Sequence, residues 1–231
     1  LNRIDNSDWV PVALKFLATR RGNSDYVQWF FIALERLASF MHVTSKDINQ
    51  RINRYVQILD EMDERPEHGQ DDSPRLETVL LTEEERDQFI AALKGDIYLK
   101  TPRKRNYVIL RLDSFVADGA ATYDSRILTI EHVLPQTVRD GSEWATVWPD
   151  VAQRENWLNK IANLVPLTRY KNSEAQNFDF AKKKAKYFTG RKGTSSYALT
   201  TQVLNESEWT PEVVEQRQKN LMEVFKKGWG L

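Results

Sequence analysis

The segment RILTIEHVLPQ, residues 126–136, decides how the chain folds around its most distinctive side chains. β-Branched and apolar residues alternate with others as far as His132, and Pro135 then ends the run. The pattern predicts a strand that delivers Glu131 and His132 to its end. Adjacent strand residues point to opposite faces, so these two side chains share one surface only where the strand ends or twists. Pro135 is consistent with such an ending.

Three further segments follow this strand. Residues 151–160, VAQRENWLNK, predict a helix, residues 163–168, NLVPLT, a short strand, and residues 177–188 another helix. The segment between the first strand and these elements is a long loop that contains tryptophan. Thr210 as N-cap and Pro211 at the first helical position then predict a final helix. The core of this region is therefore a strand, strand, helix succession.

The N-terminal part of the chain is helical by its pattern. Residues 8–20 and 25–43 carry apolar side chains at helical spacing, and a third helix begins at about Ser45, a candidate N-cap. Residues 64–78 are polar and contain two prolines and a glycine, which is typical of a loop or linker. This segment is the best internal boundary.

Two segments continue beyond that boundary. Thr82 and Glu85 form a T-x-x-E capping box, in which each side chain accepts a backbone N–H of the other, ahead of a helix that runs through Gly95. Residues 106–115, NYVILRLDSF, are apolar enough for a buried helix or a buried strand, and periodicity alone does not decide. We favour a helix there.

Composition excludes several classes of protein. The 231 residues are 41% hydrophobic and rich in aromatic side chains, which argues against disorder of the whole chain, and 33 basic residues balance 33 acidic ones. The absence of cysteine removes disulfides and thiolate metal sites. Neither a membrane-spanning run nor a signal peptide is visible, so the expected location is the cytoplasm.

His132 is the most informative of the three histidines, because it follows an acid at the end of a predicted strand. Hydrolysis of a phosphodiester needs a base that activates water and a divalent cation that neutralises charge on the phosphate. A neighbouring histidine and carboxylate can supply both. Taken alone, however, His132 also fits a hydrogen-bonded structural histidine.

Several motifs together carry a family resemblance. They are IEHVLPQ at residues 130–136, ANLVPL at 162–167, Asn172, NSEAQNFDFAKKKAKYF at 172–188, Trp209, Arg217 and the final helix. This set resembles the HNH nuclease domain at the C-terminus of GmrSD-like restriction enzymes, which are modification-dependent, type IV systems. The resemblance extends from about residue 105 to the end, and residues 1–100 match only as a helical lead-in.

The resemblance implies a fold and a domain organisation. The fold class is α+β and mostly α-helical, with an embedded ββα-metal core of the HNH or His-Me finger type between a helical N-terminal region and a C-terminal helix. Residues 1–100 would be a helical scaffold, and residues 101–231 the nuclease domain.

The resemblance also implies roles for four residues. His132 would be the general base, and Glu131 a metal ligand. Asn163 would fix the orientation of the His132 ring through its side-chain or backbone groups, and Asn172 would complete the metal site. The final histidine of the HNH pattern is an asparagine here and zinc-binding cysteines are missing, so Mg²⁺ or Mn²⁺ is favoured over zinc.

Basic residues near these motifs are candidates for DNA contacts. The candidate set is Arg169, Lys171, Lys182, Lys183 and Lys186. Such side chains would neutralise backbone phosphates and give affinity without sequence readout. The lysine-rich run fits a solvated helix face equally well.

The resemblance implies an endonuclease, nicking if one site acts alone, that restricts phage or foreign modified DNA. A separate N-terminal NTPase or modification-sensing domain would be its partner, since no G-x-x-x-x-G-K-[ST] loop occurs here. A homodimer could cut both strands. The alternative is a non-catalytic DNA-binding or protein-docking module that retains the ββα scaffold.

Overall fold

The computed structural model of the chain describes residues 1–65, 75–117, 128–168, 178–188 and 197–231. By its internal contacts the chain divides into two compact units, Leu1–Ala92 and Leu93–Leu231. The proposed site residues all belong to the second unit.

The first unit is helical. Its helices are α1, Val10–Arg20, α2, Ser24–Val43, and α3, Ile48–Glu64, and α4, Glu83–Lys94, begins in it. Phe16 and Phe30 stack in its core with ring centroids 3.6 Å apart, and both are fully buried. The helices predicted from residues 8–20 and 25–43 are thereby confirmed, because their apolar stripes form this core.

Of two N-caps predicted from the sequence, the structure contains one and replaces the other. The Thr82 N–H donates to Glu85 Oε2 at 2.9 Å and the Glu85 N–H donates to Thr82 Oγ1 at 3.2 Å, so the predicted capping box is confirmed. Ser45 as the N-cap of α3 was wrong. Asp47 caps α3 instead, because its carboxylate accepts two backbone N–H groups and Gln50 completes a second capping box.

The second unit combines short helices with two strands. In chain order it contains a 3₁₀ turn, Ile97–Leu99, α5, Pro102–Val116, β1, Leu128–His132, α6, Glu143–Val147, α7, Val151–Leu158, a 3₁₀ turn, Ile161–Asn163, β2, Leu164–Thr168, α8, Phe180–Phe188, α9, Ala198–Leu204, and α10, Pro211–Trp229. The ambiguous segment 106–115 is helical, within α5. Among the helices of the described ranges, none is both long and apolar enough to cross a membrane.

β1 and β2 form an antiparallel pair, with His132 opposite Leu164 and Leu128 opposite Thr168. Together with α8 they follow the predicted order of strand, strand, helix. The described chain is therefore mostly helical with a small two-stranded antiparallel sheet. This confirms the predicted α+β class and the predominance of helix.

A tryptophan-rich core supports the end of β1. Val133 and Leu134, directly after the strand, pack with Trp144, Trp148 and Trp209 in one buried cluster. The indole N–H of Trp148 donates to the Trp209 carbonyl oxygen at 2.6 Å, so this ring is buried with its polar atom satisfied. These aromatic side chains are structural, and they fix the position at which the strand ends.

Candidate active site

His132, the last residue of β1, lies in a small cage of side chains. Its ring centroid is 4.1 Å from that of Tyr98, at an interplanar angle of 58°, and its side chain hydrogen-bonds that of Asn159. The Tyr98 backbone N–H donates to the Asn159 carbonyl oxygen at 3.0 Å. The two residues that contact the imidazole are therefore joined to each other.

Arg105, in the first turn of α5, holds Tyr98 from the other direction. Its guanidinium lies 4.3 Å from the Tyr98 ring centroid, and Nη1 donates to the Tyr98 carbonyl oxygen at 3.0 Å. A cation over the face of an aromatic ring is attracted by the ring quadrupole. The histidine, the tyrosine and the arginine thus form a continuous series of contacts.

The electrostatic surroundings keep the His132 ring neutral. Burial lowers its pKa to about 4, the Asn159 hydrogen bond opposes this shift, and the charges of Lys183 and Arg105 lower the pKa further. Nε2 is buried and has no hydrogen-bond partner among the described residues. At neutral pH the ring is therefore unprotonated, which a proton acceptor requires, and because Nε2 is buried, water reaches it only when the surrounding side chains move.

Glu131 has a different partner, as expected for the preceding strand residue. Lys183 of α8 donates through Nζ to Glu131 Oε1 at 2.8 Å and to the His132 carbonyl oxygen at 2.6 Å. The Lys183 side chain is only 1% exposed and that of Glu131 13%. Burial lowers the Lys183 pKa, and the Glu131 carboxylate opposes that shift. The pair joins β1 to α8.

Asn163 contacts the backbone that follows His132. Its Oδ1 accepts from the Leu134 N–H at 2.7 Å, and its Nδ2 donates to the carbonyl oxygens of Leu134 and Leu158 at 3.1 and 3.0 Å. Trp209 Nε1 also donates to Oδ1, at 3.2 Å. The resemblance gave Asn163 the task of orienting the His132 ring through its side-chain or backbone groups; in the described structure the side chain that interacts with the ring is that of Asn159, and the Asn163 carbonyl oxygen accepts from the Val133 N–H at 2.9 Å. Asn163 fixes the course of the chain beside the histidine.

The remaining site predictions have mixed outcomes. Arg169, Lys171 and Asn172 lie outside the described residues, and so does the side chain of Lys186. Lys182 is exposed, with its ammonium 3.8 Å from the Phe178 ring centroid. Lys183 is fully buried, so the structure removes it from the residues accessible to DNA. Its ammonium lies inside because Glu131 provides an opposite charge there.

The described residues do not complete a metal site. Within these parts of the chain, no group of three or more histidine, cysteine, aspartate or glutamate side chains is placed to hold an ion. Glu131 Oε1 is already bonded to the Lys183 ammonium, and the second predicted ligand, Asn172, lies outside the described ranges. The donor set present therefore does not fit a magnesium ion without further ligands.

Sequence reasoning missed Tyr98 and Asn159. Neither residue belongs to a motif, and Tyr98 is 34 positions before the histidine that it contacts. Asn159 was placed inside the predicted helix 151–160, whereas α7 ends at Leu158 and Asn159 is its C-cap residue. Only the tertiary structure brings these side chains to the imidazole.

One of three comparisons with known proteins assigns a family. A family model described as GmrSD restriction endonucleases, C-terminal domain, matches residues 83–224. The matched range includes β1, β2 and every residue of the candidate site. The searches of curated proteins and of solved structures gave no match.

Proposed function

Because the chain belongs to the family of GmrSD restriction endonuclease C-terminal domains, we propose that it hydrolyses DNA phosphodiester bonds with His132 as the general base. The observation that carries this proposal is the neutral imidazole with an uncommitted Nε2 at the end of β1. A general base needs a free electron pair at the working pH and a fixed orientation. Asn159 and Tyr98 supply the orientation.

The proposed step is an attack of water on phosphorus. A bond forms from the water oxygen to phosphorus, and the water proton passes to His132 Nε2. The bond from phosphorus to the leaving oxygen breaks, and that oxygen keeps the electron pair and takes a proton from solvent. Lys183 holds the carbonyl of His132, and Asn163 holds the backbone immediately after it. Both act as positioning residues, because a small displacement of a base reduces the rate steeply.

The proposal keeps a divalent cation, Mg²⁺ or Mn²⁺, with Glu131 and Asn172 as ligands, on the basis of the HNH resemblance. Such an ion would neutralise charge that develops on the phosphate. The described residues supply only one of these ligands, and the proton transfer to His132 is derived without the ion. The ββα-metal assignment and the division into residues 1–100 and 101–231 are part of the same proposal.

The biological setting follows from the family. We propose restriction of phage or foreign modified DNA in the cytoplasm, with an NTPase or modification-sensing domain or subunit as the partner that selects the substrate. One site would nick a single strand, and a homodimer could cut both.

The test is plasmid cleavage. The parent chain and His132→Ala are incubated with supercoiled plasmid in Mg²⁺, Mn²⁺ or EDTA, and the products are resolved on a gel. We expect open-circle or linear DNA from the parent with metal, and a loss of about 100-fold or more in rate for the variant, which is the usual contribution of a general base. Equal cleavage by both proteins would contradict the assignment of His132.

A second candidate is a non-catalytic DNA-binding or protein-docking module. The Lys183 ammonium on Glu131 favours it, because a cation of the protein already neutralises the proposed metal ligand. This candidate requires binding without a metal and intact plasmid under every condition above.

A further inference from the structure

A groove of about 320 Å³ lies in the second unit beside α10. Its charged lining consists of Lys94, Lys160, Lys219, Lys226 and Glu223, and Asp96 and Glu215 pair with Lys160 and Lys219, so that four ammonium groups meet three carboxylates in the described structure. Trp157 and Met222 contribute apolar surface. This excess of positive charge favours an anionic ligand.

Carboxylates near the groove do not close it to anions. Lys219 pairs with Glu215 and Lys226 with Glu223, each at 2.7 Å. Lys160 Nζ lies 3.7 Å from Asp96 Oδ1 and donates to the Lys94 carbonyl oxygen at 3.5 Å, both long distances for such contacts. The Lys219 pair is well exposed, at 65% and 54% of the two side chains. Exposed pairs of this kind are weak because water screens both charges, so a lysine exchanges its carboxylate for a phosphate at little cost.

Gln218, which also lines the groove, adds a fixed donor. Its Oε1 accepts from the Ala162 N–H at 3.1 Å, which determines which end of the amide is oxygen. Its Nε2 is buried and has no hydrogen-bond partner in the described part of the chain. The polar group left without a partner at this position is therefore the Gln218 side-chain NH₂, a donor, which suits an anion and not a cation.

The groove and the candidate active site share one segment of the chain, residues 159–163. Lys160 lines the groove, and the preceding residue, Asn159, hydrogen-bonds His132. Ala162 is held by Gln218 from the groove, and the next residue, Asn163, holds the backbone after His132. A ligand in the groove would thus lie close to the segment that positions the proposed base.

We propose that this groove binds a phosphate of the DNA backbone away from the scissile bond, with Lys160 and Lys219 as its main contacts. The inference rests on the proposed function, since it names a subsite for the same substrate. It is separate from the DNA contacts that the sequence suggested for the lysines of α8, of which Lys183 is buried. Contacts of this type hold DNA in register without reading its sequence.

The test is a binding titration of the full chain with a fluorescently labelled DNA duplex, followed by anisotropy in EDTA over a range of NaCl concentrations. The variants are Lys219→Ala and the double variant Lys160→Ala/Lys219→Ala. The control is Lys227→Ala, because Lys227 is also exposed and on α10 but outside the groove lining. We expect the double variant to bind about tenfold more weakly near 0.1 M salt, with a salt slope reduced by about two, and the control to match the parent.

A groove variant with the affinity and salt slope of the parent would overturn the inference, and so would a parent that does not bind the duplex. Lys219→Glu extends the test, because reversal of the charge should weaken binding more than its removal. Binding that depends on the groove without cleavage of plasmid would support the inference and contradict the proposed function. Cleavage of plasmid together with unchanged DNA binding by the groove variants would contradict the inference and support the proposed function.

Discussion

Lys183 Nζ donates to Glu131 Oε1 and to the carbonyl oxygen of His132, at 2.8 and 2.6 Å. One buried ammonium therefore holds the side chain of one residue and the backbone of the next. Because Lys183 belongs to α8, the lysine-rich helix takes part in building the end of β1. On the same helix, Lys182 is exposed, and Lys184 donates to the Glu206 carbonyl oxygen at 2.6 Å.

Replacing Lys183 with methionine should destabilise the fold. The change leaves the Glu131 carboxylate largely buried without its counter-charge, and breaking a buried pair in this way costs about 3 kcal/mol. Urea unfolding followed by tryptophan fluorescence measures the loss. Lys182→Met is the matched control, because that neighbour on the same helix is exposed, and it should change the free energy of unfolding by less than about 0.5 kcal/mol. Equal stabilities of the two variants would show that the buried pair contributes nothing.

Substitution of Asn159 should lower activity, whereas substitution of Asn163 should lower stability. Asn159→Ala removes the side-chain hydrogen bond to His132, so we expect kcat to fall about tenfold with KM nearly unchanged. Asn163→Ala leaves the Leu134 N–H, two carbonyl groups and the Trp209 indole N–H without their partner, and should cost at least about 3 kcal/mol of stability.

Steady-state kinetics and thermal unfolding of the two variants provide the comparison. Asn159→Asp keeps an oxygen that can accept from the ring and should recover part of the lost kcat. If Asn159→Ala unfolded as readily as Asn163→Ala, or kept full kcat, the assignment of Asn159 as the residue that orients His132 would be wrong.

The sequence predicts local structure here better than it predicts contacts. Alternation before Pro135 locates β1, and helical spacing locates the long helices, because both signals are contained within one element. α6 and α9 were missed, since five and seven residues are too few to show a period. The pairing of Lys183 with Glu131 spans 52 positions, and no local pattern distinguishes a buried lysine from its solvated neighbours in a run of three.

Glu61 should make the stability of the first unit depend on pH. Burial raises its pKa, but hydrogen bonds from Glu77 and Thr78 and the charge of Arg65 outweigh burial, so the net pKa lies below the ordinary 4.5. Its stabilising contribution is therefore complete above pH 4.5 and is lost as the pH falls through the lower, folded value. Glu61→Gln should lose about 2 kcal/mol at pH 7 and converge with the parent in acid, by chemical unfolding at several pH values. A difference that is constant with pH would contradict this account.

Gly228 on α10 should tolerate no side chain. A Cβ there would lie 2.7 Å from three atoms of the Phe115 ring on α5, including the atom by which the ring is attached. Gly228→Ala should therefore cost about 1–3 kcal/mol through overpacking, and calorimetry should show a lower Tm. Gly22→Ala is the control, because a Cβ at Gly22 would meet nothing within 4 Å. An unchanged Tm for Gly228→Ala would mean that the two helices separate at no cost.

The hydrogen bond from Trp209 to Asn163 has a consequence for synthesis of the protein. The amide of Asn163 is shared by residues 134, 158 and 209, so its environment is completed by a residue 46 positions further along the chain. A nascent chain that has not yet exposed Trp209 outside the ribosome lacks that indole and the core around it. Because contacts between distant positions form late, we expect the candidate site to assemble only after residue 209 has left the ribosome. The candidate site would then stay incomplete while the segments that carry His132 and Asn163 are already synthesised.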